Sequence, residues 1–415
     1  MKRTLALLLV SALLIAVLPL TALAEDTAIT VWMGSWWEDT VPKIVEKFEA
    51  DPANAGYKLV IETFPNNAYV EKIISAILGG TAPDVVDVDW TFLGALVSRN
   101  LLTEFTPDDL KDVDLNDFFP AAISSATFGG KMYALANRGG TGAGIAYNKA
   151  IFDKAGIPYP TDDWTLDDYY ETLTKLKAAS NGEYYPTAIA AATSDPANFT
   201  TTYEFMLWSK GGDYFSADGT AVTMDTPEAI ASIEFLKKIY DEGLVPEGCI
   251  NYTIPVDIVP LFTEGKIAMM DYGDSWIPTL KESKIDYGTV LRPDKGCGTG
   301  GWMFAVPVTA PNPDASKKFV KWFTQADVLG DLMIRTPARI STNQNYAPWN
   351  GEDYATLVKA GEFAHNPVLI PQWSEIRLIM IREVQKVLMG EQTAEQAGKA
   401  ITEQGNALLK EGAAN

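Results

Sequence analysis

The chain has 415 residues but only one histidine, His365, and two cysteines, Cys249 and Cys297. A single imidazole excludes zinc sites built on two or three histidines, and two distant thiols do not replace them. A Ser-His-Asp triad would have to use His365, and no Gly-x-Ser-x-Gly elbow accompanies it. The setting "EFAHNP" reads as a surface or helix-end histidine. Positive charge is also scarce: 33 Lys and Arg stand against 54 Asp and Glu, a net charge of −21. Phosphate backbones require a basic surface, so nucleic acid is excluded as a partner.

Long apolar runs are missing except at the start. Lys2 and Arg3 precede the apolar stretch Leu5 to Leu18, and Ala22-Leu23-Ala24 closes it. That is the form of a cleaved export signal over residues 1–24, with Glu25 as the new N-terminus. No cysteine follows the small residues, so the expectation is a protein free in the periplasm, without a lipid anchor. No later stretch approaches the roughly 20 consecutive apolar residues of a membrane span. In an oxidising compartment Cys249 and Cys297 allow one disulfide, although sequence does not show whether they meet.

What is present is an alternation of strand and helix. "AITVWMGS", "YKLVIETF" and "PDVVDVDW" are β-rich and are separated by helical patterns. Val41, Ile44, Val45 and Phe48 fall at i, i+3, i+4, i+7. Thr226 and Pro227 mark another helix start. This order predicts α/β sheets, parallel and doubly wound, with helices on their faces. "GKIAMMDYGDSW" (residues 265–276) reads as a strand apolar on both faces, hence buried in a parallel sheet. Trp322 falls on the apolar stripe of a helix with Ala315, Phe319 and Phe323 and is core.

Several motifs look chemical and are not. "GGTGAG" (139–144) lacks the Gly-Lys-Ser/Thr ending of a phosphate loop and precedes a strand. "GCGTGG" (296–301) matches G-x-G-x-x-G, but the strand "WMFAVPV" follows it and does not precede it. "DVDW" and "DLKDVDLND" have neither the central Gly nor the final Glu of a calcium loop. No cofactor or metal is expected.

Tryptophan is informative. Trp36, Trp37, Trp90, Trp276 and Trp302 sit at strand ends or in loops, with Asp89 and Asp274 beside them. In open α/β sheets the ligand crevice lies beyond the strand ends. Indole faces cover the apolar face of a sugar ring, and carboxylates accept from its hydroxyl rim. Buried tryptophan area and charge-assisted hydrogen bonds together suffice for about micromolar binding.

Four segments then carry a family likeness: "GGTAPDVVDVDW", "GGKMYALANRGGTGAGIAYNKAIFDKAGIPYPTDDWTLDDYYETLTKL", "LFTEGKIAMMDYGDSW" and "GGWMFAVPVTAPNPDASKKFVKWF". In this order they resemble the extracellular solute-binding proteins of bacterial ABC transporters, family 1, which include maltodextrin-binding and other sugar-binding proteins. The resemblance implies a two-lobed periplasmic-binding-protein fold of type II, each lobe an α/β sheet sandwiched by helices around a central cleft. The lobes would comprise residues 25–137 with 299–338, and 138–298 with 339–415. By position it implies ligand contacts from Trp36, Trp37, Asp89, Trp90, Arg138 and Thr141. It adds Tyr203, Glu204, Asp274, Trp276, Gly301, Trp302, Arg339, Trp373 and Glu375. The implied function is capture of a mono- or oligosaccharide and its delivery, as a monomer without catalysis, to the permease subunits of an ABC importer. The alternatives are the same fold with a polyol, polyamine or peptide, a sensor docking on a receptor, and a secreted glycoside-active enzyme. Turnover by a paired acid and base would distinguish the last.

Overall fold

The computed structural model describes residues 26–365 and 370–414. The expected export signal lies outside them. Strand β1 (Thr27–Gly34) buries Ile29, Val31 and Met33 and pairs in parallel with β2 (Tyr57–Phe64) and β3 (Val85–Asp89). Between β1 and β2 the helix Val41–Ala50 turns Ile44 and Phe48 onto the sheet. A short hairpin, β4 (Thr127–Phe128) and β5 (Lys131–Met132), precedes β6 (Ala134–Gly139). The last strand of this sheet, β10 (Gly301–Ala305), inserts between β3 and β6 and is antiparallel to both.

The sheet order is β2-β1-β3-β10-β6. The expectation of a wholly parallel sheet therefore needs correction: this one is mixed. The chain returns to β10 from the other lobe and enters at the edge where β3 and β6 end, so it can only run back against them.

The second lobe has a small sheet with β7 (Gly144–Asn148) at its centre. Strands β8 (Met269–Tyr272) and β9 (Tyr287–Leu291) flank it, and both are antiparallel to it. The segment read as a parallel-sheet strand is thus an edge strand of an antiparallel one. It is apolar on both faces because each face meets a separate core: Met269 joins one with Leu173 and Met380, Met270 another with Ile254 and Phe262. Helices provide most of this lobe, among them Pro196–Ser209, Pro227–Asp241, Trp373–Leu388 and Ala394–Ala414. Thr226 caps the second of these by accepting from Ala229 N–H, with Pro227 at its start.

The core of the first lobe draws on residues from Ile29 to Ala136 and from Trp302 to Trp349, including the stripe Ala315, Phe319, Trp322 and Phe323. The second lobe's main core runs from Ile145 to Val290 and from Trp373 to Ile401. Cys249 and Cys297 are both buried and free, so the allowed disulfide is not formed.

The glycine runs are the lobe junction. Gly139 lies at φ +98°, and a Cβ there would stand 2.2 Å from the Gly300 carbonyl oxygen. A Cβ on Gly142 would stand 2.6 Å from Cys297 Sγ. Gly140 N–H donates to Thr299 Oγ1 at 3.1 Å, and Thr299 Oγ1 donates to the Thr141 carbonyl at 2.8 Å. A third segment joins them: Gly142 N–H donates to the Leu357 carbonyl at 3.0 Å and His365 N–H to that of Cys297 at 2.8 Å. Close backbone packing, not phosphate binding, is what these glycines permit.

Candidate binding cleft

The strand ends of the first sheet face the second lobe across a cavity of about 970 Å³. That is near the upper end of the usual size for small-molecule sites. Asp89 closes β3 and caps the next helix, accepting from Thr91 N–H at 2.9 Å and Thr91 Oγ1 at 2.6 Å. Trp90 and Trp302 follow it on this wall, both buried. Gly301 is required here, since a Cβ would lie 2.4 Å from the Trp90 ring.

One face of helix Pro196–Ser209 forms much of the opposite wall. Thr200, Thr201, Glu204 and Trp208 recur at helical spacing and line the cavity. His365 lies flat on Trp208, with ring centroids 3.9 Å apart and planes within 5°. Tyr214 bridges Trp208 and Trp373, at 6.2 and 5.1 Å. Trp276, half-buried, enters from the corner after β8.

Two ion clusters organise the cavity. Arg292, 1 % exposed, donates to Glu204 Oε1 at 2.8 Å and Asp271 Oδ1 at 2.7 Å. Glu204 Oε1 also accepts from Gly298 N–H at 2.9 Å. Burial pushes both carboxyls above their ordinary range even though Arg292 pulls them down. At the junction, Asp274 Oδ2 accepts from Thr336 N–H at 2.9 Å and Oγ1 at 2.7 Å, and Arg138 lies 3.5 Å from Oδ1. Burial would raise Asp274, but Arg138 and Thr336 outweigh it and hold the carboxyl low. Asp274 thereby ties the second lobe to the first.

Of the residues expected from sequence, ten line the cavity: Asp89, Trp90, Arg138, Thr141, Glu204, Asp274, Trp276, Gly301, Trp302 and Trp373. Five are placed elsewhere. Trp36 packs edge-on behind Trp302, at 4.4 Å. Trp37 is core, its Nε1–H donating to Asp87 at 2.9 Å. Tyr203 is core, bonded to Ser232. Its neighbour Glu204 reaches the cavity because one residue is a 100° step around the helix. Arg339 is spent in the first lobe on Asp117, 2.9 Å away, and the Thr324 carbonyl. Glu375 is exposed on the far side of its helix from Trp373.

Among the residues that sequence reasoning missed are Trp208, Tyr214, Asp271, Arg292, His365 and Arg377. Helical spacing signalled two of them: Trp208 is four residues past Glu204, and Arg377 four past Trp373. Arg292 and Asp271 had no signal, because their meeting depends on strand register.

Beneath the first wall Asp87 is fully buried, accepting from Trp37 Nε1–H and, at 2.8 Å, from Asn137 Nδ2–H. Burial pushes its pKa up from 3.8 to about 7 against those hydrogen bonds. The protonated form's contribution to stability is complete below the unfolded value and is lost as pH rises through about 7. Wild type minus Asp87→Asn stability should therefore decline between about pH 4 and 7, by up to about 4 kcal/mol. Denaturant titrations across that window check it, and a flat difference would contradict it.

With this geometry, comparison with known proteins is decisive. The model of the bacterial extracellular solute-binding protein family matches residues 43–362. The chain belongs to that family. A protein of Brucella abortus named only as a binding protein is 25% identical over 95% of this chain and 97% of its own. A maltooligosaccharide ABC transporter solute-binding lipoprotein of Streptococcus pneumoniae is 25% identical, covering 81% of this chain and 77% of its own. Among solved structures, the cyclic α-maltosyl-1,6-maltose-binding protein of Arthrobacter globiformis superposes with TM-score 0.78. That match has 20% identity and covers 93% of this chain and all of the other, so it speaks for the fold. Members of this family bind solutes. No helix among the described residues is long and apolar enough to cross a membrane.

Proposed function

We propose that this family member captures a mono- or oligosaccharide between its lobes and delivers it to the membrane subunits of an ABC importer. The observation that carries the reading is one cavity combining the half-buried indoles of Trp208 and Trp276 with carboxylates that still have unbonded oxygens. Glu204 and Asp271 each commit one oxygen to Arg292. Their second oxygens are left for hydroxyl donors. The names of the oligosaccharide-binding relatives support the same solute class. The protein works as a monomer, free in the periplasm after removal of residues 1–24, and does not bind nucleic acid. Contacts from both lobes favour the closed form, and the solute shifts that balance by its differential affinity.

The cavity acids argue for binding over glycoside cleavage. Glu204 and Asp271 are held side by side on one guanidinium, not set as an acid and a base on opposite sides of a bond.

The test is thermal unfolding with a solute panel. A bound saccharide at 100 times its Kd stabilises by about 2.7 kcal/mol. If amines or peptides raise the melting temperature while no mono- or oligosaccharide does, the reading fails. Trp276→Ala should weaken saccharide binding by about 2 kcal/mol or more while the free protein still folds, with a lower melting temperature because the half-buried indole also packs on the Ile254, Phe262 and Met270 core. Calorimetry measures the first, and unchanged affinity would make that indole a packing residue only.

A further inference from the structure

The cavity holds three guanidinium groups, and they are not treated alike. Arg292 is paired with Glu204 and Asp271, and Arg138 with Asp274. Arg377 has no ion pair and no hydrogen bond among the described residues. Its Nε–H is sealed from water without an acceptor, and its guanidinium stands 5.6 Å from the Trp373 ring. A partly desolvated cation with no acceptor is costly, because guanidinium offers only donors.

The neighbouring acids do not fill this need. Asp89 and Asp195 act on Arg377 from a distance, but each is occupied in capping a helix, Asp89 through Thr91 and Asp195 through Asn198. Neither lies within ion-pairing reach of the guanidinium. Burial accordingly lowers the Arg377 pKa, with those acids opposing it only in part. The terminal nitrogens are not sealed as Nε is, and the side chain lines the cavity. They lie along the same aromatic wall as the Trp208–His365 stack, linked through Trp373 and Tyr214.

We infer that the solute carries one carboxylate, taken by Arg377: it is an acidic saccharide of the uronate class, not a neutral one. This rests on the saccharide reading above and narrows it. His365 covers one face of Trp208, and a sugar ring against the remainder of this aromatic wall would direct a ring substituent along it toward Tyr214 and Arg377. A planar carboxylate matches the guanidinium fork in a bidentate pair. The charge count limits the anion. Five carboxylates line the cavity (Asp89, Glu204, Asp213, Asp271 and Asp274) against three guanidiniums, so one unpaired cation suits a monoanion better than a doubly charged phosphate.

The experiment compares pairs of sugars that differ only at C6, by calorimetry on the full protein. D-glucuronate and D-galacturonate are set against glucose and galactose, and the monoacids glucuronosyl-β-1,4-glucose and glucuronosyl-α-1,4-glucose against cellobiose and maltose. The acid of the bound pair should be favoured by roughly ten- to a hundredfold. In the Arg377→Gln variant that preference should collapse toward one. The variant should melt no lower than the wild type, since no buried partner is left uncompensated. Equal or tighter binding of the neutral sugar overturns the inference and leaves the saccharide reading intact. So does an acid preference that survives Arg377→Gln. If no sugar of either kind binds at millimolar concentration, both the inference and the saccharide reading fall.

Discussion

Replacing Arg292 by methionine is expected to destabilise the second lobe by about 3–5 kcal/mol, the usual cost of leaving a buried charge without its partner. Arg292 follows β9 directly, Asp271 lies in β8 and Glu204 on the helix Pro196–Ser209. The guanidinium thus joins sheet to helix, with its side chain fully buried and those of its partners 13% and 9% exposed. Without it, two carboxylates face each other in a low-dielectric site. The deficit should shrink in acid. Both carboxyls already have raised pKa values in the folded state, so the stability of their protonated forms is present at low pH and lost as pH rises through the folded values. Chemical denaturation at neutral and acidic pH checks both statements. In a Glu204→Gln, Asp271→Asn background the cost of Arg292→Met should be much smaller. A variant as stable as wild type at neutral pH would mean that the triad contributes nothing.

Gly139→Ala is the second large effect. The residue ends β6 at φ +98°, where an L side chain is strained, and the new Cβ would lie 2.2 Å from the Gly300 oxygen and 2.7 Å from Gly301 Cα. Both obstacles are backbone of the neighbouring crossing, which cannot swing aside as a side chain can. Strain and overpacking together are expected to cost about 3 kcal/mol or more. They should also weaken solute binding, because Gly301 and Arg138 sit at the same junction. Gly129→Ala is the control: its φ is +58°, but nothing lies within 4 Å of the added Cβ. It should show the strain alone, about 1 kcal/mol. Similar losses in the two variants would contradict the close-approach account of the glycine run.

How legible the molecule was follows from the range over which each feature is determined. Local rules found the helices: Thr226 with Pro227 starts one, and the stripe Ala315, Phe319, Trp322 and Phe323 buries another. Strand direction was not local. The apolar segment around Met269 and Met270 could not reveal that its two faces meet different cores, nor that its partner β7 runs the other way. For the cleft, strand-end residues such as Asp89, Trp90, Trp276 and Trp302 were visible because sheet ends and crevices coincide. On helices the resemblance marked the right turn but sometimes the wrong face, as with Tyr203 beside Glu204 and Glu375 beside Arg377. Trp37 and Arg339 were indistinguishable in sequence from ligand contacts. The acceptors that hold them, Asp87 and Asp117, come from 50 and 222 residues away.

Asp274 changes meaning in the same way. Sequence offered it to a ligand's hydroxyls, while the structure commits Oδ2 to Thr336 and aligns Oδ1 with Arg138. Its carboxylate fastens the lobes at the back of the cleft. Trp276, two residues on, keeps a face toward the cavity. The corner after β8 therefore holds the junction together and presents an indole to the solute.

The central claim is that a saccharide occupies the cleft. Mass spectrometry of the solute released from protein purified from its own host without unfolding tests it most directly. A released mono- or oligosaccharide is the predicted result, and the carboxylate on it tests the Arg377 inference separately. A released amine, peptide or lipid in its place would contradict it.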